Sequence, residues 1–368
     1  MKYKIGKSSC KDALKAIQEA TVGLQTPKLI WFTSGVPEFA EYSKVMKAAF
    51  PNSIIIGTTT YAAFCKDGAF KDTLLVMGIE DGIECYGDVL EEVDKYPLKY
   101  VERVERCANQ LSGNTGENTI CFECTTALLS CEELVLSTLN AVLMKKNIPV
   151  FGGSAGDRGV AEKTLISFNG TVYHNACAFV LIKNLGGKIK LYRENIYKPT
   201  KHHFKATKVD VKNRCVYEYN HSPAAQVTAQ ALGTTADNLG KYLNSYPLGR
   251  IIGNDMYITA NNSVTAHNGM AYHARVYKNS EMVLLEPDNY KEVLRQTMDQ
   301  VKSDVPKPSL SLMVNCLARS MLFESDAYAD KFATDMGSAL GNYVGFAGYG
   351  EQLKEQHFNQ TMVLAVFE

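Results

Sequence analysis

No stretch of this 368-residue chain approaches the roughly 20 consecutive apolar residues that a membrane-spanning helix needs, so membrane insertion is not expected. The start, Met1-Lys2-Tyr3-Lys4, lacks the apolar core of a secretory signal. Excess charge is missing as well. Lys+Arg and Asp+Glu each total 39. A protein that tracks nucleic-acid phosphates needs a basic face to displace counterions, so nucleic acid is not an expected partner. The basic stretch from Lys198 to Lys208 reads as solvated surface. The seven histidines form no HExxH or comparable metal spacing. No Gly-Lys-Ser/Thr follows a glycine-rich stretch, and the spaced glycine triplet of a dinucleotide fingerprint is absent. Low-complexity segments are also missing.

What remains is ordinary globular composition, 46% hydrophobic and 21% charged, enough to build a core without disulfides or structural metal. The length exceeds the usual single-domain size, so two lobes or one large composite fold are expected. Ten cysteines without an export signal read as reduced thiols, and the expected location is cytoplasmic.

A strand–helix–strand–strand unit recurs three times. Each repeat opens on an apolar run: Lys28 to Ser34, Thr119 to Glu123, and Ser309 to Asn315. A helical segment follows, then a second run ending in glycine: Ser53 to Gly57, Pro149 to Gly153, and Tyr343 to Gly345. A loop leads to a closing run: Thr73 to Ile79, Ala176 to Ile182, and Thr361 to Phe367. Val135, Leu136, Leu139, Val142 and Leu143 make one apolar helix stripe, with Ser130 and Glu133 as a capping-box signature. Tyr328, Phe332, Met336 and Leu340 recur every four residues. Continuous apolar runs fit strands covered on both faces. The first two strands of each unit should pair in parallel through a right-handed crossover, with the third added antiparallel. The fold class expected is therefore α/β, with layered mixed sheets and helices.

Between the second and third repeats the pattern changes. Lys188 to Glu194, Phe204 to Val211 and Arg214 to Tyr219 alternate as strands. Ser222-Pro223 starts a helix as N-cap and first residue, and Gly233 ends it. Met256 to Leu285 is strand-like, with turn signals at Asn261-Asn262 and Asn268-Gly269. Pro306 and Pro308 mark the junction into the third repeat.

Several ordered motifs resemble the FIST family. Phe151-Gly152-Gly153-Ser154-Ala155-Gly156-Asp157 resembles its GGxAGD signature, followed by the Phe168-Asn169-Gly170 turn. Ser222-Pro223-Ala224-Ala225 through Leu232-Gly233 resembles its "PA…LG" helix, and Asn315-Cys316-Leu317-Ala318-Arg319 its Cys-x-x-Arg segment. Gly345 to Glu351 and Phe358-Asn359-Gln360-Thr361 resemble its closing GFxxYGE and NQT motifs. The first lobe departs: where the family carries Gly-Cys-Ser-Thr-x-Gly-Glu, this chain reads Gly57-Thr58-Thr59-Thr60-Tyr61-Ala62-Ala63. The resemblance implies a FIST N-terminal domain over 1–200 and a FIST C-terminal domain over 201–368. It also implies an intracellular sensory module for a small ligand, amino acids being one proposed class and haem-based nitric-oxide sensing another.

The candidate ligand-binding residues are Gly152, Gly153, Asp157, Cys316, Arg319, Tyr349, Gly350 and Glu351. Closely spaced glycines allow close backbone approach, or serve only as tight strand-exit turns. Cys316 and Arg319 follow a predicted strand, at the end where open α/β sheets bind ligands. Arg319 could clamp a carboxylate with its planar fork, and Glu351 could receive an ammonium. Cys316 is a soft contact, a metal or haem ligand, a nucleophile, or a packed thiol. Asn359 reads as a loop-fixing residue. Cys121 and Cys124 sit three apart on a predicted strand, facing opposite ways, which opposes chelation of one ion. No metal ligand is named, and haem stays open as a cofactor because one histidine suffices as its axial ligand. With no recognisable output module, a signalling partner in trans is expected, such as a histidine kinase or a cyclic-nucleotide enzyme. A binding module is the expectation. The alternatives are a haem sensor on the same scaffold and an enzyme using Cys316.

Overall fold

The computed structural model describes residues 1–113, 116–253 and 255–368. They form two compact units. The first comprises residues 1–193, 297–356 and 362–368, and the second 194–296 and 357–361. Apart from Thr361, all three repeats belong to the first unit, although the intervening segment separates the third in sequence.

Each repeat adopts the expected strand pairing. The opening strands are Leu29–Ser34, Thr119–Thr125 and Leu310–Cys316. The middle strands are Ile54–Thr59, Val150–Ser154 and Tyr343–Gly348. Each middle strand runs parallel to its opening strand, with Trp31 opposite Ile56, Phe122 opposite Phe151, and Leu312 opposite Val344. The crossover helices are Val36–Ala49 and Glu132–Leu143, and in the third repeat Leu317–Ser325 with Ala329–Leu340. The closing strands Leu74–Asp81, Ala176–Asn184 and Thr361–Phe367 pair antiparallel with the opening strands. The apolar runs are buried along their whole length in Thr119–Thr125 and Ala176–Asn184. Helices cover one face, and the other faces a shared core. There Trp31 meets Phe122 edge-on at 4.9 Å and Phe346 at 5.9 Å between ring centroids, joining all three repeats.

A feature outside the sequence pattern ties the repeats together. The loop after each middle strand contains a short hairpin, and each hairpin completes another repeat's sheet. The hairpin Ala63–Cys65 and Gly68–Phe70 pairs with the third repeat's middle strand, Ala63 opposite Phe346. Ile166–Phe168 and Thr171–Tyr173 pair with the first repeat's, Ile166 opposite Thr58. Gly350–Leu353 and Gln356–Phe358 extend the second repeat's, Glu351 opposite Gly153. The exchange closes on itself.

The second unit is an antiparallel sheet packed with the short helix Ala224–Ala231. Its core joins Phe204, Tyr219, Ala225, Leu248, Tyr272 and Leu284. The Tyr219 and Tyr272 hydroxyls share a 2.6 Å hydrogen bond inside it.

Local expectations were met unevenly. Val135, Leu136, Leu139 and Leu143 are buried on one helix face, and Gly233 ends its helix at φ +67°. The turns at Asn169-Gly170 and Asn268 adopt left-handed backbone. The capping box does not form. Ser130 has φ +53°, the helix starts after Cys131, and its first turn instead carries Glu132 and Glu133, whose charge suits the helix dipole. Ser222 and Pro223 pair with Glu218 and Tyr219, so the helix begins at Ala224. Asn261-Asn262 lies in a strand, Asn261–Val264, rather than a turn. Three helices escaped the reading: Ala13–Ala20, Val101–Gln110 and Tyr290–Asp304. The first buries a stripe of Ala13, Ala16, Ile17 and Ala20, too small to stand out as a hydrophobic periodicity. Among the described residues no helix is long and apolar enough to cross a membrane.

The interlocking depends on close backbone approach. A Cβ on Gly348 would overlap the Ser154 carbonyl, whereas one on Gly116 would meet nothing within 4 Å. Gly348→Ala should therefore destabilise the protein by about 3 kcal/mol in urea unfolding, and Gly116→Ala by no more than about 0.5 kcal/mol. Equal effects would contradict this account of the packing.

Candidate functional site

The three middle strands deliver their exits to one place. Gly156 donates its N–H to Thr59 O at 2.8 Å, Tyr349 to Ser154 O at 3.2 Å, and Tyr61 to Ala347 O at 3.1 Å. Each exit thus accepts from another, and the three contacts close a ring of backbone hydrogen bonds. Thr60 reinforces it. Its hydroxyl oxygen accepts from Ala347 N–H at 3.0 Å and donates to Ala62 O at 2.6 Å. Gly156 fits because a side chain there would strike Ala347 O and Tyr61 N.

The ring is symmetric in backbone and asymmetric in chemistry. The residues preceding its three accepting carbonyls are Thr58, Gly153 and Phe346. They pair respectively with Ile166, Glu351 and Ala63. Equivalent hairpin positions therefore carry one carboxylate and two apolar side chains. Glu351 is fully buried, and so is Arg319, at 1% exposure, in the first turn after the third opening strand. Cys316 ends that strand opposite Gly348, with its thiol buried.

The structure brings most of the candidate residues together. Gly350 and Glu351 lie beside Ser154 and Gly153. The Tyr349 hydroxyl donates to Asp157 Oδ1 at 2.6 Å and accepts from Ala161 N–H at 2.9 Å. Cys316 reaches the group through Gly348. Asp157 is a loop organiser: its carboxylate also accepts from the backbone N–H of Gly159, Val160, Glu162 and Lys163. Five donors fill its acceptor capacity. Burial raises its pKa, but the bonds from Tyr349 and the loop backbone outweigh that and hold it below the usual value. Burial, then the Asp157 carboxylate, pushes the Tyr349 phenol up. Glu123 packs over Gly152, and Val314 with Gly350 O packs over Gly153. Protein therefore occupies the space that these glycines leave. Asn359 accepts from Ala260 N–H at 3.4 Å within the second unit, as a loop-fixing residue does.

Among the described residues no group of three or more His, Cys, Asp and Glu side chains is placed to hold a metal ion. Cys121 and Cys124 lie on one strand. Two described cavities carry a histidine. His202 lines one of about 560 Å³ with Tyr242, Tyr246 and Leu232, and His267 one of about 320 Å³ with Tyr217.

Sequence reading passed over Glu123 as part of the Cys121–Cys124 stretch. It is fully buried, accepts from Thr125 Oγ1 at 2.6 Å through Oε2, and has no partner for Oε1 among the described residues. The available signal was a glutamate inside an otherwise apolar, both-face-buried strand. Burial drives its pKa up to about 8; hydrogen bonds from Thr125 and Cys177 oppose the rise and nearby Glu132 adds to it. Unfolded, the carboxyl ionises near its usual 4.5. Its contribution is fully present below pH 4.5, declines as pH rises towards about 8, and is lost above that. Glu123→Gln should match wild type at low pH and exceed it at pH 9 by on the order of a few kcal/mol in urea unfolding. Parallel pH profiles for the two proteins would contradict a neutral buried acid.

Comparison with known proteins identifies a family. The chain is 25% identical over 407 aligned positions to the uncharacterized protein MJ1623 of Methanocaldococcus jannaschii, covering 98% of this chain and 78% of that relative. Residues 29–222 match the FIST N domain and residues 224–354 the FIST C domain. The chain, whose third strand–helix–strand–strand repeat folds back onto the first two, belongs to the FIST family.

Proposed function

We propose that this protein is a sensory module that binds a small ligand beside the ring of strand exits, with an amino acid as the ligand class. Arg319 would take the carboxylate and Glu351 the ammonium. Cys316, Gly350 and the Tyr349 ring would shape the remaining wall. Gly152, Gly153 and Asp157 would hold the frame. The observation that carries this reading is the asymmetry of the ring: three equivalent hairpin positions, of which only Glu351 is charged. A buried carboxylate and a buried guanidinium are expensive to keep in a core, and a zwitterion matches both. The 1–200 and 201–368 partition is retained as the division between FIST N-terminal and C-terminal domains. Signalling would pass in trans to a partner such as a histidine kinase or a cyclic-nucleotide enzyme, in the cytoplasm.

Haem is the second reading, and the described cavities fit it poorly. Beside His202 stand Lys201, Glu286 and two tyrosines, with Leu232, Leu284 and Pro199 as scattered apolar contacts. A macrocycle needs continuous apolar walls. An enzyme using Cys316 is the third reading. At 4% exposure that thiol is shielded from solvent, which favours a packing role.

Isothermal titration of the full chain against a panel of amino acids tests the leading reading. At least one should bind, and Arg319→Met should weaken it about a hundredfold, as loss of one partner of a buried charge contact does. Glu351→Gln should weaken it as well, with thermal unfolding confirming that each variant folds. Unchanged affinity in both folded variants would overturn the assignment. A stoichiometric Soret band on hemin titration, lost on replacing one histidine, would promote haem instead.

A further inference from the structure

A second cavity in the first unit lies apart from the eight candidate residues. It has a volume of about 430 Å³, within the roughly 300–1,000 Å³ range of small-molecule sites. The hairpin Ala63–Cys65 and Gly68–Phe70, with its flanks, supplies one wall, and the two helices of the third repeat supply the other. The floor and sides are apolar: Phe64 and Phe70 are the aromatic faces, and Ala62, Ala69, Ala327 and Ala329 are the small residues that leave the space open. Here the chain departs from the family pattern, with Tyr61-Ala62-Ala63 in place of a glycine and a carboxylate.

The charges around this cavity do not cancel. Lys71 Nζ lies 2.7 Å from Glu324 Oε1 and donates to Glu324 Oε2 at 2.8 Å and to the Tyr61 hydroxyl oxygen at 3.0 Å. The Tyr61 hydroxyl in turn donates to Glu324 Oε2 at 2.5 Å. Lys71 is thereby held by the Glu324 carboxylate and the Tyr61 hydroxyl, and the pair is neutral. Lys7, 4.9 Å from the Phe70 ring centroid, is neutralised by Asp67 at 2.5 Å. Asp330 remains. Its Oδ1 accepts only the Ala69 N–H at 3.2 Å, and no cation pairs with it among the described residues. An apolar, aromatic-walled hollow with one carboxylate at its rim that no cation pairs with among the described residues is complementary to a monocation with an apolar body.

We propose that this cavity is a binding site for a small amphipathic primary amine, its ring or alkyl body against Phe64 and Phe70 and its ammonium on Asp330. The site is independent of the amino-acid site proposed above. It shares none of that site's candidate residues, and it disfavours a ligand carboxylate because Lys71, the one cation among its described lining residues, is already paired with Glu324 while Asp330 is not paired with any cation.

The test uses the full chain and three isosteric probes: phenethylamine, phenylacetate and 2-phenylethanol. By isothermal titration phenethylamine should bind at least about tenfold more tightly than the other two, the discrimination of one charge-assisted contact. Asp330→Asn keeps an acceptor for Ala69 N–H and should lower the amine affinity about tenfold. Ala329→Leu fills the hollow and should abolish binding. Glu351→Gln should leave amine binding unchanged, so failure of the amino-acid site and failure of this one are separable. Phenylacetate binding as tightly as the amine, an unaffected Asp330→Asn variant, or no amine binding at millimolar concentration would each overturn the proposal. If both cavity variants fail to fold, the contrast among the three probes on the wild-type chain decides.

Discussion

An unpaired sheet edge organises this molecule. A parallel pair with an antiparallel third strand leaves the middle strand with one open row of N–H and C=O groups, which must be paired, covered or exposed. Each repeat closes that edge with a hairpin borrowed from another: first to third, second to first, third to second. No repeat completes its own sheet. The long segment inserted before the third repeat can be accommodated because the hairpin exchange, rather than chain proximity, returns that repeat to the other two.

The same constraint explains the glycines. Where three exits meet backbone to backbone, close carbonyl approach leaves no room for a side chain at Gly156 or Gly348, and Gly152 is closed in the same way by Glu123 O of its own repeat. These residues are structural first. The proposed ligand contacts lie where the ring departs from symmetry. Glu351 stands where the equivalent hairpins carry Ala63 and Ile166, and Arg319 is buried at the start of the helix that follows the third opening strand. Buried charge at one of three otherwise equivalent positions is where a ligand reading starts. The amine cavity rests on a different observation, an uncancelled carboxylate beside a hollow lined by aromatic rings and alanines.

Much of the fold was legible because it is written in period and run length. Uninterrupted apolar runs such as Ala176 to Ile182 announce strands covered on both faces, and the four-residue steps from Tyr328 to Leu340 announce a helix. The hairpin exchange was not legible. Three-residue strands such as Ala63–Cys65 carry too little pattern, and their partners lie roughly 100 to nearly 300 residues away. Helix starts were displaced by a residue where local competition won: Ser130 adopted left-handed backbone and Ser222 paired into a sheet. Of the site, residue types at strand exits were readable, but which of them are saturated was not. Asp157 looks like a ligand contact in sequence and is a loop clamp in space, because five donors converge on it from a loop and another repeat. Glu123 was hidden for the opposite reason, a polar residue carried along inside a strand whose apolar neighbours set the reading.

Residue-resolved native-state hydrogen exchange tests the closed hairpin exchange most directly. The amides of the hairpin residues at 63–70, 166–173 and 350–356 should open together with the first unit's core strands, at free energies within about 1 kcal/mol of one another, as one cooperative unit. A hairpin exchanging several kcal/mol below the other two, with the core strands still protected, would contradict a mutual interlock and leave the strand exits without their common support.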